Sequence, residues 1–416
     1  FSCFLKLTII SSNLSKMGGG LMKTKIPLRA AVAAVISFAV IVSVLTVGAM
    51  NSALGGFDFK IAAKLGEISR LAESQYYYDI DNDAVTNAVL SGYVNGLSDD
   101  YAAYYDKDAA KKQVASIKGD SYGIGIIAVS TADESGIYAW KVYEKSPAES
   151  AGLKPGDIIT EIDGKTVESI GFSDAANMFY GRIGKKVKLR VKRGKKTFSV
   201  VVTCGECDAQ TVYIDSCKKG EPAVVQVTGF NDKTAVQFEG TVNECVKKGA
   251  SSLIIDLRHN GGGTVSAAAK MLDFLLPEGD TVHVMYKDRK VFVRNRSDAS
   301  CINLPFAVLC DGGTASASEI FASTLRELGG AKLIGSTTYG KSVIQRSYTL
   351  KDGSRVKFTV GEFVPSNGES YNKKGLKPDI SVDPKLQSDY DFYFLTSEND
   401  VVKKYAVNYM KKNCRQ

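Results

Sequence analysis

From residue 210 onward, short unbroken apolar runs alternate with segments whose apolar residues recur every three to four positions. The runs in "PAVVQVTGF", "SSLIIDLRHNGGG", "PFAVLCDGG" and "KLIGSTTYGKSVIQ" read as strands that end in glycine-marked loops. Between them, segments from Asp232 to Lys248, from Thr264 and from Ser316 carry helical spacing. Buried strands separated by helices predict an α/β domain over residues 210–385, with a largely central sheet and its loops at the strand ends. Upstream the pattern changes twice. Apolar positions Ile61, Leu65, Ile68 and Leu71, then Val85, Val89, Leu90, Tyr93 and Leu97, predict a small helical domain over residues 57–117. Residues 121–204 switch to short strands, broken by the turn residues of "SPAESAGLKPGDIITEIDGKTV", where Pro147 opens a short helix, Gly152 and Gly156 permit turns and Asp163-Gly164 closes a hairpin. Residues 386–416 are expected to be a helical tail.

One stretch has no periodicity. "AAVAAVISFAVIVSVLTVGAM", Ala30 to Met50, holds no charge and follows Lys23, Lys25 and Arg29. About 20 apolar residues suffice to cross a bilayer, and the positive flank favours the cytoplasmic side. The run predicts a single membrane anchor, or a long signal segment if it is cut, with everything after it outside the cytoplasm. Met17 or Met22 makes a more natural start than Phe1, so residues 1–16 are expected to be an upstream artefact.

Composition narrows the chemistry. The chain has 416 residues and a net charge of +8, but its lysines are scattered among acids, which suits a solvated surface better than a nucleic-acid groove. Only His259 and His283 are available to any histidine-dependent mechanism. Cys204 and Cys207 in "CGEC" lie near Cys217, yet no second CxxC pair completes a zinc set, so structural cysteines and no metal are expected.

The loops carry the candidate reaction. "DGGTASASE" places Ser316 on a strand-to-helix turn, which exposes a hydroxyl while the helix N-terminus presents backbone donors. Capping is the commoner use of such a serine. A nucleophilic serine needs a base, and Lys341 in the turn of "TTYGKSVIQ" serves if burial leaves its amine neutral, with Gln345 four residues later placed to orient it. The glycines of "DLRHNGGG", Asp256 to Gly263, let backbone N–H groups of Gly261 and Gly262 join that of Ala317 in an oxyanion hole. Neither a Walker lysine nor a Rossmann glycine pattern is present, which sets nucleotide binding aside. His259 as a triad base would compete with the oxyanion loop and lacks an evident carboxylate; it reads as a residue ordering the glycines. His283, in an alternating strand, reads as ordinary.

The stretch Ser146 to Val167 closely resembles a PDZ domain, and "YGIGI", with Tyr122, Gly123, Ile124, Gly125 and Ile126, resembles that family's carboxylate-binding loop. Together with "TASAS", "YGKSVIQ" and "DLRHNGGG", these stretches resemble the carboxy-terminal processing peptidases, the tail-specific branch of the S41 serine peptidases, over roughly residues 60–385. "LSDDYAAYY" and "GEFVPSNGESYNKKGLKPDISVD" extend the likeness without adding chemistry. The resemblance implies that Ser316 is the nucleophile, Lys341 the base 25 residues later, Gln345 its orienting residue, and Gly261 to Gly263 with Ala317 the oxyanion donors. Thr314 departs from the usual first serine of the cluster, and His259 from a common asparagine. The implied architecture is multidomain α/β: an N-terminal membrane segment, a small helical domain, a PDZ-like β domain and an α/β serine-peptidase core of the ClpP/crotonase-like kind. The implied activity is endoproteolysis of proteins with free apolar C-termini, without cofactor or nucleic acid, with homo-oligomerisation through the helical domain. A non-catalytic PDZ scaffold that binds C-terminal tails is the alternative.

Overall fold

The computed structural model describes residues 28–53 and 59–414, and the chain divides into one unit ending at Val85 and a second spanning Thr86–Gln416. The basic flank through residue 27 and both candidate start methionines lie outside the described residues. In the first unit, the uncharged run forms the helix Leu28–Ala53, whose side chains from Val32 to Thr46 stand exposed. Among the described residues no helix is long and apolar enough to cross a membrane, so the fold does not show the expected span.

The second unit is built on a six-stranded sheet. Val212–Ser216 pairs antiparallel with Pro222–Val227, and the parallel strands Ser252–Asp256, Phe306–Cys310, Lys332–Gly335 and Ile380–Ser381 follow in that order. Alternate residues along these strands serve two cores, because successive side chains point to opposite faces. Val225, Ile255, Val308 and Leu333 pack under the helices Thr234–Lys247, Val265–Leu275 and Ala317–Gly329. Val224, Ile254, Leu309 and Ile334 pack under the C-terminal helix Val401–Asn413 through Val402, Ala406 and Met410. The predicted tail is therefore the cover of the second face of the sheet.

A second sheet joins Ala103–Tyr105, Arg355–Val364, Gly279–Tyr286 and Val291–Ser297, with Val343–Thr349 also paired to Arg355–Val364. Residues 57–117 are accordingly not one helical domain. The helices Phe59–Gln75, Asn82–Asn95 and Lys107–Lys118 do form, but Ala103–Tyr105 is a strand paired with Lys357 to Arg355, a long-range contact that local periodicity does not encode.

The PDZ-like part is a separate antiparallel sheet, Ile126–Ser130, Ile137–Val142, Ile158–Ile162, Lys186–Arg193 and Lys196–Thr203 in spatial order, around its own core of Ile124, Ile137, Ile159, Leu189 and Val191. Ile126–Ser130 lies at its edge. An aromatic turn, Asp389–Phe394, ties this sheet to the α/β core. Phe392 stacks on His259 at 4.2 Å and lies 5.9 Å from Trp140, Tyr393 meets Trp140 at 5.0 Å, and Phe394 meets Tyr138 at 4.6 Å.

Candidate active site

Ser316 sits where Phe306–Cys310 turns into the helix Ala317–Gly329, with φ 58° and ψ −118°. A non-glycine residue in that region carries strain of order 1–3 kcal/mol and persists only when its surroundings hold it. The holding groups are visible. Thr314 Oγ1 donates to Leu257 O (2.9 Å), Ser318 Oγ to Asn260 O (2.9 Å) and Ala315 N to Asn260 O (3.0 Å). The hydroxyls that flank Ser316 thus sew its turn to the glycine loop.

That loop is fixed from behind. Arg258, buried, pairs with Asp256 (2.7 Å) and with Asp400 (2.7 Å), the N-cap of the C-terminal helix. Burial works to raise the Asp400 carboxyl, but the Arg258 hydrogen bonds and charge overcome it and hold the group below its ordinary range. In front, Gly262 has φ +98°, and a Cβ there would stand 2.6 Å from Ala315 O and 2.9 Å from Ala317 N. Only glycine lets the loop press this closely on the Ser316 turn. The N–H of Gly262 donates to Asn260 Oδ1 (2.9 Å), whereas among the described residues nothing accepts from that of Gly261. Ala317 is the first residue of its helix, so its N–H has no acceptor within the helix. Of the three expected oxyanion donors, Gly261 and Ala317 have the freer N–H groups.

Ser316, Gly261, Lys341 and Gln345 line one cleft of about 780 Å³. The Lys341 ammonium lies 4.0 Å from the centroid of the Tyr101 ring. Burial lowers its pKa and the neighbouring Lys357 charge pushes the same way, against Asp99 and Glu319, which favour the charged form. Gln345 does not donate to the amine: its Nε2 donates to Val343 O (3.2 Å) and Thr359 Oγ1 (3.3 Å), and Thr359 in turn donates to Asp99 (3.0 Å). The amide oxygen is the part of Gln345 left to meet Lys341.

Sequence reasoning missed Glu319. This carboxylate is fully buried and accepts from Ser316 N (2.9 Å), Lys341 N (2.8 Å), Gly340 N (2.7 Å) and Thr338 Oγ1 (2.6 Å). One side chain therefore clamps the serine turn to the lysine turn. The sequence carries a signal for it, because Ser316-x-x-Glu319 is a capping-box pattern. Tyr101, in the stretch expected to add no chemistry, was missed as well.

His259 is turned away from Ser316. With φ 55° it donates its N–H to Asp311 Oδ1 (3.0 Å), sets Nε2 3.3 Å from Asp311 Oδ2 and lines a different cavity beneath Phe392. In the PDZ-like part, Tyr122 and Gly123 pair with Glu206 and Gly205, Ile124 is buried, and Ile126 opens the edge strand. Gly125 has φ +78° and stands so close to Ser146 and Cys207 that a Cβ would meet them at 2.5 and 2.9 Å.

Comparison with known proteins gives the same two parts. Residues 221–382 match peptidase family S41 and residues 141–193 match the PDZ domain family. The carboxy-terminal processing protease CtpA of Bacillus subtilis (strain 168) is 33% identical over 322 residues, 77% of this chain and 68% of its own length. A Staphylococcus aureus (strain N315) protein named "Probable CtpA-like serine protease" is 31% identical over 358 residues, 84% of this chain and 71% of its own. The solved structure of a Bacteroides fragilis protein described as an S41 protease shares the fold, with a TM-score of 0.52 at 16% identity over 81% of this chain and 98% of that one.

Proposed function

The chain belongs to peptidase family S41, in its carboxy-terminal processing branch, and from that premise we propose that Ser316 and Lys341 carry its serine-protease chemistry. Ser316 Oγ attacks the scissile carbonyl carbon while neutral Lys341 Nζ takes the hydroxyl proton. The ammonium then gives that proton to the leaving amine. Water opens the acyl-enzyme by giving one proton to Lys341, which passes it to the departing Ser316 Oγ, so that the hydroxyl and the neutral amine are both restored. The N–H groups of Ala317 and Gly261 stabilise the oxyanion in both steps. Gln345 orients the amine through its amide oxygen. The observation that carries this reading is the single carboxylate, Glu319, bonded to the backbone of both Ser316 and Lys341.

Substrates would be selected by their ends. The loop Tyr122 to Ile126 would hold a terminal carboxylate while the substrate tail adds a strand to the open edge Ile126–Ser130. The test is mass spectrometry of an unfolded protein with an apolar C-terminus, incubated with the chain in parallel with the same protein lacking that tail. Cleavage that weakens about tenfold or more without the tail is expected, one decade being about 1.4 kcal/mol of lost recognition. Tail binding without cleavage would return the scaffold reading instead.

The catalytic part is further proposed to lie outside the cytoplasm, tethered by residues 30–50. The uncharged run and its basic flank support this. Cell membranes washed in alkaline carbonate should retain the full chain, and its release would overturn the tether.

A further inference from the structure

The cleft around Ser316 is cationic even with Lys341 neutral. Lys112, Arg294, Lys341, Arg346, Arg355 and Lys357 line it, and no aspartate or glutamate is among the described residues that do. None of the six forms an ion pair among the described residues. This is a local feature, because the whole chain holds 53 basic and 45 acidic residues. Arg355 and Lys357 stand two apart on the strand Arg355–Val364 and so share one of its faces.

Arg355 sharpens the argument. Its Nε and Nη1 are buried without a hydrogen-bond partner, as is Oε1 of Gln113 in the same cleft. Two buried guanidinium nitrogens left unpaired are costly, and a neutral amide cannot neutralise their charge. A carboxylate can, since it brings both the negative charge and the acceptor oxygens that these N–H groups lack.

We infer that this cleft selects acidic segments: the residues of a substrate that flank the scissile bond include aspartate or glutamate, paired with Arg355 and Lys357 and attracted by Arg294 and Arg346. The inference rests on the proteolytic reading for its biological meaning, though not for its binding test. It adds a second filter, because the PDZ part reads the terminal carboxylate and the cleft reads side chains at the cut. A carboxylate beside Lys357 also offsets the charge that helps keep Lys341 neutral, so acidic substrates should gain chiefly in KM, with the kcat profile displaced to higher pH.

The experiment uses peptides with one common core in which the residues flanking the cut are Glu, Gln or Lys. Binding is measured on the Ser316→Ala chain with amidated peptides, which removes the carboxylate that a PDZ loop would hold. The Glu peptide should bind about tenfold tighter than the Gln peptide and the Lys peptide weakest, and the order should collapse near 1 M salt, where charges are screened within about 3 Å. Arg294→Glu and Arg346→Glu, two exposed positions, should each shrink the preference at least threefold. Equal binding of all three peptides, or a Glu preference untouched by salt and by both variants, would overturn the inference. Cleavage of the same peptides by the parent chain is scored separately. Glu-selective binding without cleavage would leave the cleft assignment standing and sink the proteolytic one, and cleavage without selective binding would do the reverse.

Discussion

Ser316→Ala should leave the protein folded and lower kcat/KM by about 10⁴-fold or more, since removing a nucleophile leaves only the catalysis that binding and the oxyanion donors supply. Lys341→Ala should cost a similar factor, and the double variant should be no worse than either alone, because the proposed mechanism uses the two groups in one proton transfer. The pH profile carries the sign. In the proposed mechanism the amine acts neutral, so activity should rise with pH as Lys341 loses its proton, and burial with the Lys357 charge brings that rise below the ordinary lysine range. Lys357→Ala removes a like charge, stabilises the ammonium and moves the rise to higher pH. Steady-state cleavage of one tailed peptide from neutral to alkaline pH measures all four variants. Full activity in either single variant would remove Ser316 or Lys341 from the chemistry.

Glu319→Gln should be the most damaging substitution that touches no substrate. Both oxygens of Glu319 accept hydrogen bonds, from three backbone N–H groups and the Thr338 hydroxyl. Glutamine supplies one acceptor oxygen and turns an NH₂ toward N–H groups that cannot accept from it. Losing two charge-assisted bonds and stranding buried donors costs about 3 kcal/mol or more in stability, and the misplaced turns should lower kcat by about 100-fold. KM should change less, because Glu319 lies behind the cleft. The same substitution removes a negative neighbour of Lys341, which by itself moves the pH rise downward and leaves more of the amine neutral near neutral pH. A fall in kcat together with a downward shift is therefore evidence of positioning. Unchanged kcat in folded Glu319→Gln would show that the turns hold their places without it.

Much of this was legible before any coordinates. Ser316 and Lys341 each stand where an apolar strand runs into a glycine-marked turn, and a parallel sheet carries such turns to one edge, so their meeting in one cleft follows from periodicity and connection rules. The PDZ-like sheet was legible from its turn residues. What stayed hidden depends on contacts across long stretches of chain. Tyr101 reaches Lys341 only because Ala103–Tyr105 pairs with a strand some 250 residues later. The basic wall is assembled from Lys112, Arg294 and the two strands that follow Lys341, none of which forms a charge run in the sequence. Glu319 was hidden differently: its local pattern marks a helix start, and nothing local says that a second loop will bring three more donors to it.

The aromatic turn Asp389–Phe394 has an optical consequence. Trp140 is the only tryptophan in 416 residues, and it lies within 6 Å of Phe392, which also stacks on His259 in the glycine-rich loop. Lys141 places an ammonium 4.9 Å from the same indole ring. Any displacement of the PDZ-like sheet relative to the peptidase core changes the surroundings of that ring, and no second indole contributes to the emission. The chain thus carries its own unlabelled fluorophore at the joint between the PDZ-like sheet and the peptidase core, where a shift of one against the other should be readable in real time on the unmodified protein.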